Sequence, residues 1–372
     1  MNAAAPDAGS RFAGRARTVA RALALRRRDR VTPRDPQRIL IAHHLLLGDT
    51  LMLTPLLKKL RTLHPHADIA MTLPRAFARL YATAPYGVRA LPFDPRQSAS
   101  ALYAEPPFDI AFVPGDNRYA WLAAAMRSRH IVAFAGDRPA IKSWQVDRQV
   151  EYAKHAGTWG DLVAELVEGP APEPYRTREW PAPPHAAFAT PAPAYAVLHV
   201  GASSPLKQWP APRWLALADW LTARNITPVW SAGAGETAII DAIDTNRRYA
   251  SFAGRLDLAQ MWHLLAGAAV LVAPDTGIAH LGRIVGTPTV ALFGPGSAVL
   301  CGAGDFWRGA PYRAVTVDPF PCRDQRVLFK REIAWVRRCG RSIAECPQHL
   351  CMPAIEAEAV QNAILSLICP SP

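Results

Sequence analysis

The strongest constraint on this 372-residue chain is an alternation of short apolar runs and helical patterns that stops and then restarts. Arg38 to Ala42 reads as a buried strand. Thr50 to Leu63 reads as a helix, with Leu53, Leu56, Leu57 and Leu60 at helical spacing. Asp68 to Leu73, Phe108 to Val113 and His130 to Phe134 read as further strands, with a helix over Asn117 to Arg127. Then Pro170, Pro172, Pro174, Pro181, Pro183, Pro184, Pro191 and Pro193 crowd residues 170–194. Proline at that density cannot fill central strands or helix interiors, so the segment reads as a linker. The alternation resumes with strands at Tyr195 to Val200, Ile226 to Ser231, Val270 to Ala273 and Thr289 to Phe293. A helix spans Ala211 to Arg224, and another, capped by Asp257, runs to about Gly267. The predicted architecture is α/β, with two doubly wound domains flanking the linker and a cleft between them. Ligands in such sheets bind at the carboxyl ends of the strands.

Composition narrows the class. Half the residues are hydrophobic and 19% are charged, enough apolar material for large cores. The longest apolar window, Met261 to Ala273, is broken by His263 and stopped by Pro274, which excludes a spanning helix. Six cysteines in this length do not make a disulfide framework. The net charge is +12, and half of it sits in residues 1–30, where eight arginines face only Asp7 and Asp29. No secretory apolar region accompanies that arm. It reads either as a solvated tail or as a surface helix against anionic lipid, with Phe12, Val19 and Leu23 on one side and Arg17, Arg21 and Arg28 on another. No motif for reading nucleic acid accompanies the charge.

Four motifs lie where strands give way to helices. Gly48-Asp49 follows the first strand; Asp49 fits either a helix cap or a general base at the mouth of a cleft. Gly201-Ala202-Ser203-Ser204 with Lys207 offers small residues, hydroxyls and a cation to a phosphate, without the lysine spacing of a Walker loop. Gly233-Ala234-Gly235-Glu236-Thr237-Ala238 matches a dinucleotide fingerprint, but at the second strand of its unit rather than the first. Asp275-Thr276-Gly277-Ile278-Ala279-His280 aims backbone amides outward, as an anion site requires.

Taken in order, these motifs resemble glycosyltransferase family 9, the ADP-heptose:lipopolysaccharide heptosyltransferases. The likeness runs from about residue 37 to 368. It rests on Gly48-Asp49 with Thr54-Pro55-Leu56-Leu57, on Gly201-Ala202-Ser203 with Lys207-Gln208-Trp209-Pro210, and on Asp275 to His280. Gly286 to Pro295 and the tail Cys346 to Met352 complete it. The resemblance implies a GT-B fold: a basic extension (1–35), an acceptor domain (36–180), a nucleotide-sugar domain (181–350) and a last segment (351–372) whose helix returns to the acceptor domain. It implies an inverting transfer of heptose, or a related sugar, from an ADP-sugar to a lipopolysaccharide-core or other lipid-linked glycan acceptor, without a cofactor or catalytic metal. Asp49 would be the base, beside Gly48. Ser203, Ser204, Lys207 and the amides of Thr276, Gly277 and Ile278 would hold the diphosphate. Glu236 would take the ribose, Asp275 the sugar, and His280 would line the donor site. The enzyme would work in the cytoplasm, at the inner face of the membrane, with no nucleic-acid partner.

The chain also departs from that pattern. His43-His44-Leu45-Leu46-Leu47 replaces the basic residue and serine usual before Gly-Asp, so His43 and His44 are either turn residues or acceptor contacts. Cys322, Cys339, Cys346 and Cys351, with His349, have ligand types without a standard zinc spacing. Metal ligation, disulfides and free thiols are all compatible with them. Two other functions fit parts of the sequence: a dinucleotide-dependent oxidoreductase using Gly233 to Ala238, or a catalytically silent sugar-nucleotide-binding protein.

Overall fold

The computed structural model describes residues 8–25, 31–97 and 99–369. The first unit is built on six parallel strands: β1 (Arg38–Ile41), β2 (Asp68–Pro74), β3 (Val88–Phe93), β4 (Ile110–Val113), β5 (His130–Phe134) and β6 (Arg148–Val150). They run in the order β3-β2-β1-β4-β5-β6. Around them lie α1 (Ala8–Ala24), α2 (Leu47–Leu51), α3 (Thr54–Leu63), α4 (Ser100–Tyr103), α5 (Tyr119–Ala125) and α6 (Trp159–Val163). The second unit has β7 (Tyr195–His199), β8 (Thr227–Ser231), β9 (Val270–Pro274), β10 (Thr289–Phe293) and β11 (Tyr312–Thr316), ordered β11-β10-β9-β7-β8, again all parallel. Its helices are α7 (Ala211–Thr222), α8 (Thr237–Ile243), α9 (Leu258–Ala266), α10 (Gly277–Val285), α11 (Ala298–Cys301) and α12 (Ala357–Ile368). A small hairpin, β12 (Val327–Leu328) and β13 (Arg331–Glu332), stands apart from both sheets.

The central strands β1, β4, β5, β7, β9 and β10 are buried almost throughout, which is why they read as continuous apolar runs. The edge strands β3 and β11 carry exposed or half-exposed residues, among them Arg89 and Arg313, and their sequences gave no comparable signal. The helix expected over 50–63 is two helices. Pro55 has no N–H to bond the Leu51 carbonyl, and the Thr54 hydroxyl takes that carbonyl at 2.6 Å instead. Asp257 begins α9 as expected. Its carboxylate accepts from the Gln260 amide while the Gln260 side chain accepts from the Asp257 amide, a reciprocal cap of about 1 kcal/mol.

The proline-rich connection is packed onto both units. The Tyr175 hydroxyl donates to the Ile284 carbonyl, and the Trp180 indole to that of Leu80. The last helix departs from expectation: α12 buries Val360 and Ile364 in the core of the second unit, against α7, β10 and β11, rather than returning to the first unit. Its apolar face is complementary to the tryptophans Trp209 and Trp214 that share that core.

The basic arm is helical over α1. Arg26, Arg27, Arg28 and Arg30 lie outside the described residues. Its expected apolar face is split. Ala22 is buried and Val19 half-buried against the core beneath α5, whereas Phe12 and Leu23 stand in solvent. Arg21 turns inward as well; its Nε donates to the Ala125 carbonyl and its guanidinium lies over the Tyr103 ring.

Candidate functional site

Each sheet reverses its strand order once, between β1 and β4 in the first unit and between β7 and β9 in the second. Open α/β sheets bind ligands at such switch points. The loop after β1 leads into α2 and Asp49. The loops after β7 and β9 carry Gly201 to Lys207 and Asp275 to Ile278. All of these face one cleft of about 800 Å³ between the units, lined by Asp49, Ser203, Ser204, Lys207, Glu236, Asp275, Thr276, Gly277, Ile278 and His280.

Close approach of the units rests on two glycines. A Cβ on Gly48 would stand 2.8 Å from the His280 ring, and one on Gly277 would stand 2.8 Å from the Leu47 side chain. The first turns of α2 and α10 therefore meet almost backbone to backbone. That contact sets Asp49 beside Asp275. Asp49 is in the first turn of α2, with Leu46 at the cap position, and its carboxylate accepts no hydrogen bond among the described residues. Burial first, and the Asp275 charge second, raise its pKa to about 6; Lys207 and Arg338 pull the other way. A carboxylate that is unengaged and moderately basic has the properties of a proton acceptor near neutrality.

The opposing face supplies positive charge and amides. Lys207 Nζ donates to the Asp275 carboxylate at 2.9 Å and to its backbone oxygen at 2.8 Å. Thr276 caps no amide with its side chain, and its buried hydroxyl has no partner among the described residues. The first amides of α10 open onto the cleft beside it, as helix N-termini do toward anions. His280 is buried, and Arg283 donates to its Nδ1, which leaves the proton on Nε2. Burial and the neighbouring Arg283 and Lys207 charges hold this imidazole well below its ordinary pKa, so it stays neutral. Asp275, His280 and Cys301 present ligand atoms within 4.8 Å of one another. Lys207 and Arg283 already bring cationic charge to that set, which disfavours a metal there.

Glu236 has a different setting from the one expected. Its carboxylate accepts from the amides of Gly233 at 2.7 Å and Ala202 at 3.1 Å. Gly201 and Gly233 leave the space it fills, since a Cβ on either would clash with its Oε2. The glycine-rich turn at 233–238 thus spends an amide on its own carboxylate, where a dinucleotide fingerprint would offer it to a pyrophosphate. Ser203 is exposed, and Ser204 accepts from the Leu206 amide.

His43 and His44 do not line the cleft. His43 is buried, its Nδ1 accepts from the Leu45 amide, and burial lowers its pKa to about 3. His44 packs edge-on against Phe93. Other lining residues went unread in the sequence: Met52, Trp159, Met261 and Cys301, together with Gln325, Leu328, Phe329, Arg338 and Arg341 from the irregular segment after β11. The run Arg337-Arg338-Cys339-Gly340-Arg341 was the available signal, but a basic run is ordinarily a solvated surface.

Comparison with known proteins bears on the family and the fold. Residues 105–311 match the family described as glycosyltransferase family 9 (heptosyltransferase). Lipopolysaccharide heptosyltransferase 1 of Pseudomonas aeruginosa is 33% identical over 158 residues, 39% of this chain and 44% of that protein. The matched stretch therefore spans less than half the length of that relative. The E. coli ADP-heptose lps heptosyltransferase II superposes with a TM-score of 0.61 at 18% identity, over 89% of this chain and 99% of the other. E. coli heptosyltransferase WaaC, solved with ADP-2-deoxy-2-fluoro heptose, gives 0.62 at 18% identity, over 88% and 98%. At such identities the structural likeness is one of fold, the GT-B arrangement of two Rossmann-like units.

Proposed function

Since the chain belongs to glycosyltransferase family 9, we propose that it transfers heptose, or a related sugar, from an ADP-sugar to a lipid-linked saccharide, with inversion. The observation that carries the reading is the meeting of Asp49 with Lys207, Asp275 and the α10 N-terminus in one cleft. The acceptor hydroxyl gives its proton to Asp49 as its oxygen attacks the anomeric carbon. The bond from that carbon to the diphosphate breaks, and ADP leaves with the electron pair. In this reading Lys207, the amides of Thr276, Gly277 and Ile278 and the Thr276 hydroxyl take the charge that develops on the leaving diphosphate. Asp275 would orient the sugar. The experiment is a thermal-shift panel of ADP-, UDP- and GDP-sugars followed by turnover on bacterial glycolipid. Stabilisation by the ADP-sugar with product formation is expected. Stabilisation without turnover would make the protein a silent binder, and a response to nicotinamide dinucleotides alone would make it an oxidoreductase.

Lys207→Ala should weaken ADP-sugar binding by about ten- to 150-fold, the equivalent of one charge-assisted hydrogen bond of roughly 1.5–3 kcal/mol. It also strips Asp275 of its partner, so the loss should sit at the upper end. Calorimetry reads it directly; an unchanged Kd would leave Lys207 a purely structural tie to Asp275.

The reading extends to an anionic membrane surface, where a lipid-linked acceptor would be met. No helix among the described residues is long and apolar enough to cross a membrane. What supports the contact is the outer face of α1, with Phe12 and Leu23 exposed beside exposed Arg15 and Arg17. Deleting the arm would also remove Ala22 and Arg21 from the core, so surface substitutions are the cleaner test. Phe12→Ser with Arg15→Gln and Arg17→Gln should lower co-sedimentation with phosphatidylglycerol vesicles about tenfold or more, given about 1 kcal/mol per arginine near an anionic leaflet. The parent's binding should fall steeply with salt. Equal pelleting of both proteins would count against the surface.

A further inference from the structure

The two walls of the cleft are unequal in charge. The first unit lines it with Leu46, Leu47, Gly48, Asp49, Met52 and Trp159, none of them cationic. Among the described residues, every lysine or arginine that lines it comes from the second unit: Lys207, Arg338 and Arg341. Two of the three are engaged. Lys207 is tied to Asp275. Arg341 donates twice to the Asp324 carboxylate, at 2.8 and 3.0 Å, and to the Cys322 carbonyl at 2.6 Å. The half-buried Arg338 side chain has no hydrogen bond or ion pair among the described residues. An unengaged arginine in a cleft suits an anion, because its planar fork matches carboxylate and phosphate alike.

Arg338 stands on the Asp49 side of that cleft. It is carried by the segment that contains β12 and β13, and this segment is seated on the first unit. Arg331 Nη2 donates to the Asn117 side chain at 2.7 Å, and the Trp335 indole donates to the Ala153 carbonyl at 2.9 Å. Beyond the hairpin the backbones of Gln325 and Arg338 exchange hydrogen bonds at 2.9 and 3.1 Å, which fixes the chain beneath the guanidinium. The charges sort the same way. Lys207 acts on both Asp49 and His280, whereas Arg338 acts on Asp49 and is not among the charges that act on His280. Lys207 thus faces α10, and Arg338 faces the base.

The tip of the hairpin lies at the same place. Leu328 pairs with Arg331, which leaves Phe329 and Lys330 as a two-residue turn with φ of 45° and 66°. Such turns favour Asn, Asp and Gly, and a bulky side chain is disfavoured at a left-handed φ. Phe329 nevertheless occupies the first position. Its half-buried ring is centred 5.0 Å from that of Trp159. A Cβ on Gly115 would stand 3.8 Å from the Phe329 ring and 2.8 Å from the Leu45 side chain. Leu45 follows β1 and Gly115 follows β4, so the ring covers the switch point of the first sheet while lining the cleft. Backbone strain retained at such a place points to a use for the side chain.

We propose that Phe329 and Arg338 form the acceptor subsite: the ring packs on the apolar face of the acceptor sugar, and the guanidinium pairs with a carboxylate or phosphate carried by that saccharide. The cation that recognises the acceptor then comes from the second unit, which accounts for a first-unit wall without one. The assignment rests on the reading of Asp49 as the base that takes the acceptor's proton.

The test uses the full chain and bacterial glycolipid at about pH 8, above the Asp49 value of about 6, so that losing the Arg338 charge does not read as a loss of ionised base. Arg338→Gln should raise the acceptor KM by about ten- to 100-fold, with kcat within about threefold and the Kd for ADP within about twofold. Arg338→Lys should recover part of the loss. The pairing group is found on the substrate, by removing phosphate monoesters with alkaline phosphatase or by neutralising carboxylates through amidation. One of these treatments should lower kcat/KM of the parent about tenfold and leave that of Arg338→Gln unchanged, which tells phosphate from carboxylate. Phe329→Asn relieves the turn, so its urea midpoint should equal or exceed the parent's, yet its acceptor KM should rise at least about fivefold. Should that variant fail to fold, Phe329→Gly reads the same KM. An unchanged KM in Arg338→Gln, or a parent indifferent to both treatments, would overturn the anion contact. A tenfold weaker Kd for ADP with the acceptor KM unchanged would overturn it too, by moving Arg338 to the donor. An unchanged KM on replacing Phe329 would overturn the role of the ring. A parent that binds no ADP and turns over no glycolipid would sink the transferase reading, and the subsite with it.

Discussion

Asp49→Asn is expected to lower kcat by about 100- to 10,000-fold while leaving the Kd for the ADP-sugar within about twofold, the signature of a lost general base. Asparagine keeps the size of the side chain in the first turn of α2, so the change isolates the charge and the proton. No described residue donates to the Asp49 carboxylate, so no structural hydrogen bond is lost with it. The pH profile gives an independent reading. Burial and Asp275 raise the carboxyl to about 6, and the base must be ionised to work. The parent rate should therefore fall about tenfold per pH unit below that value and level off above it, while the residual rate of the variant should lack this limb. Turnover within about threefold of the parent would remove Asp49 from the chemistry.

Arg331→Ala should cost about 3–5 kcal/mol of stability, the usual loss when one partner of a buried charged network is removed. Arg331 is 2% exposed and reaches from the hairpin into the first unit. Its guanidinium donates to the carbonyls of Ala135, Gly115 and Phe134 and to the Asn117 side chain at 2.7–3.2 Å, and it stands 3.5 Å from the Asp137 carboxylate. Truncation removes the guanidinium donor from the Ala135 and Gly115 carbonyls and from Asn117 Oδ1, while the Phe134 carbonyl keeps the Asn117 amide and Asp137 keeps Lys142 and the Asn117 N–H. Arg331→Lys should recover only part of the loss, because a single ammonium cannot reproduce the planar fork. Urea unfolding followed by fluorescence and by circular dichroism is the measurement. A loss under about 1 kcal/mol would mean that the hairpin lifts off at little cost and does not tie the units together.

Much of the site was legible before any coordinates. Gly48-Asp49, Lys207 and Asp275 to His280 each follow a readable strand, and a strand that ends in a helix delivers the residues between them to the sheet's carboxyl edge. The chain-order rules bring each to the switch point of its own sheet; their meeting across the cleft is set by the packing of α2 on α10. Glu236 was legible as a residue but not in its setting, since only the fold brings the Ala202 and Gly233 amides to one carboxylate. His43 could not be sorted from the sequence at all: a buried turn imidazole and a ligand contact look alike until its Nδ1 is seen to take the Leu45 amide.

The sequence by itself determined what local physics controls. Buried central strands need continuous apolar runs, proline density ends both kinds of element, and Asp257 with Gln260 closes a helix start without outside help. Only the tertiary structure decided what depends on distant partners. Whether α12 returned to the first unit or stayed on the second depended on which apolar face would receive Val360 and Ile364. Which side of α1 was buried depended on Tyr103 and Ala125, some hundred residues away along the chain. The segment after β11 has no periodicity to read, because Arg331 is held by Asn117 and first-unit carbonyls and the Cys339 amide by the Pro295 carbonyl, rather than by neighbours in sequence.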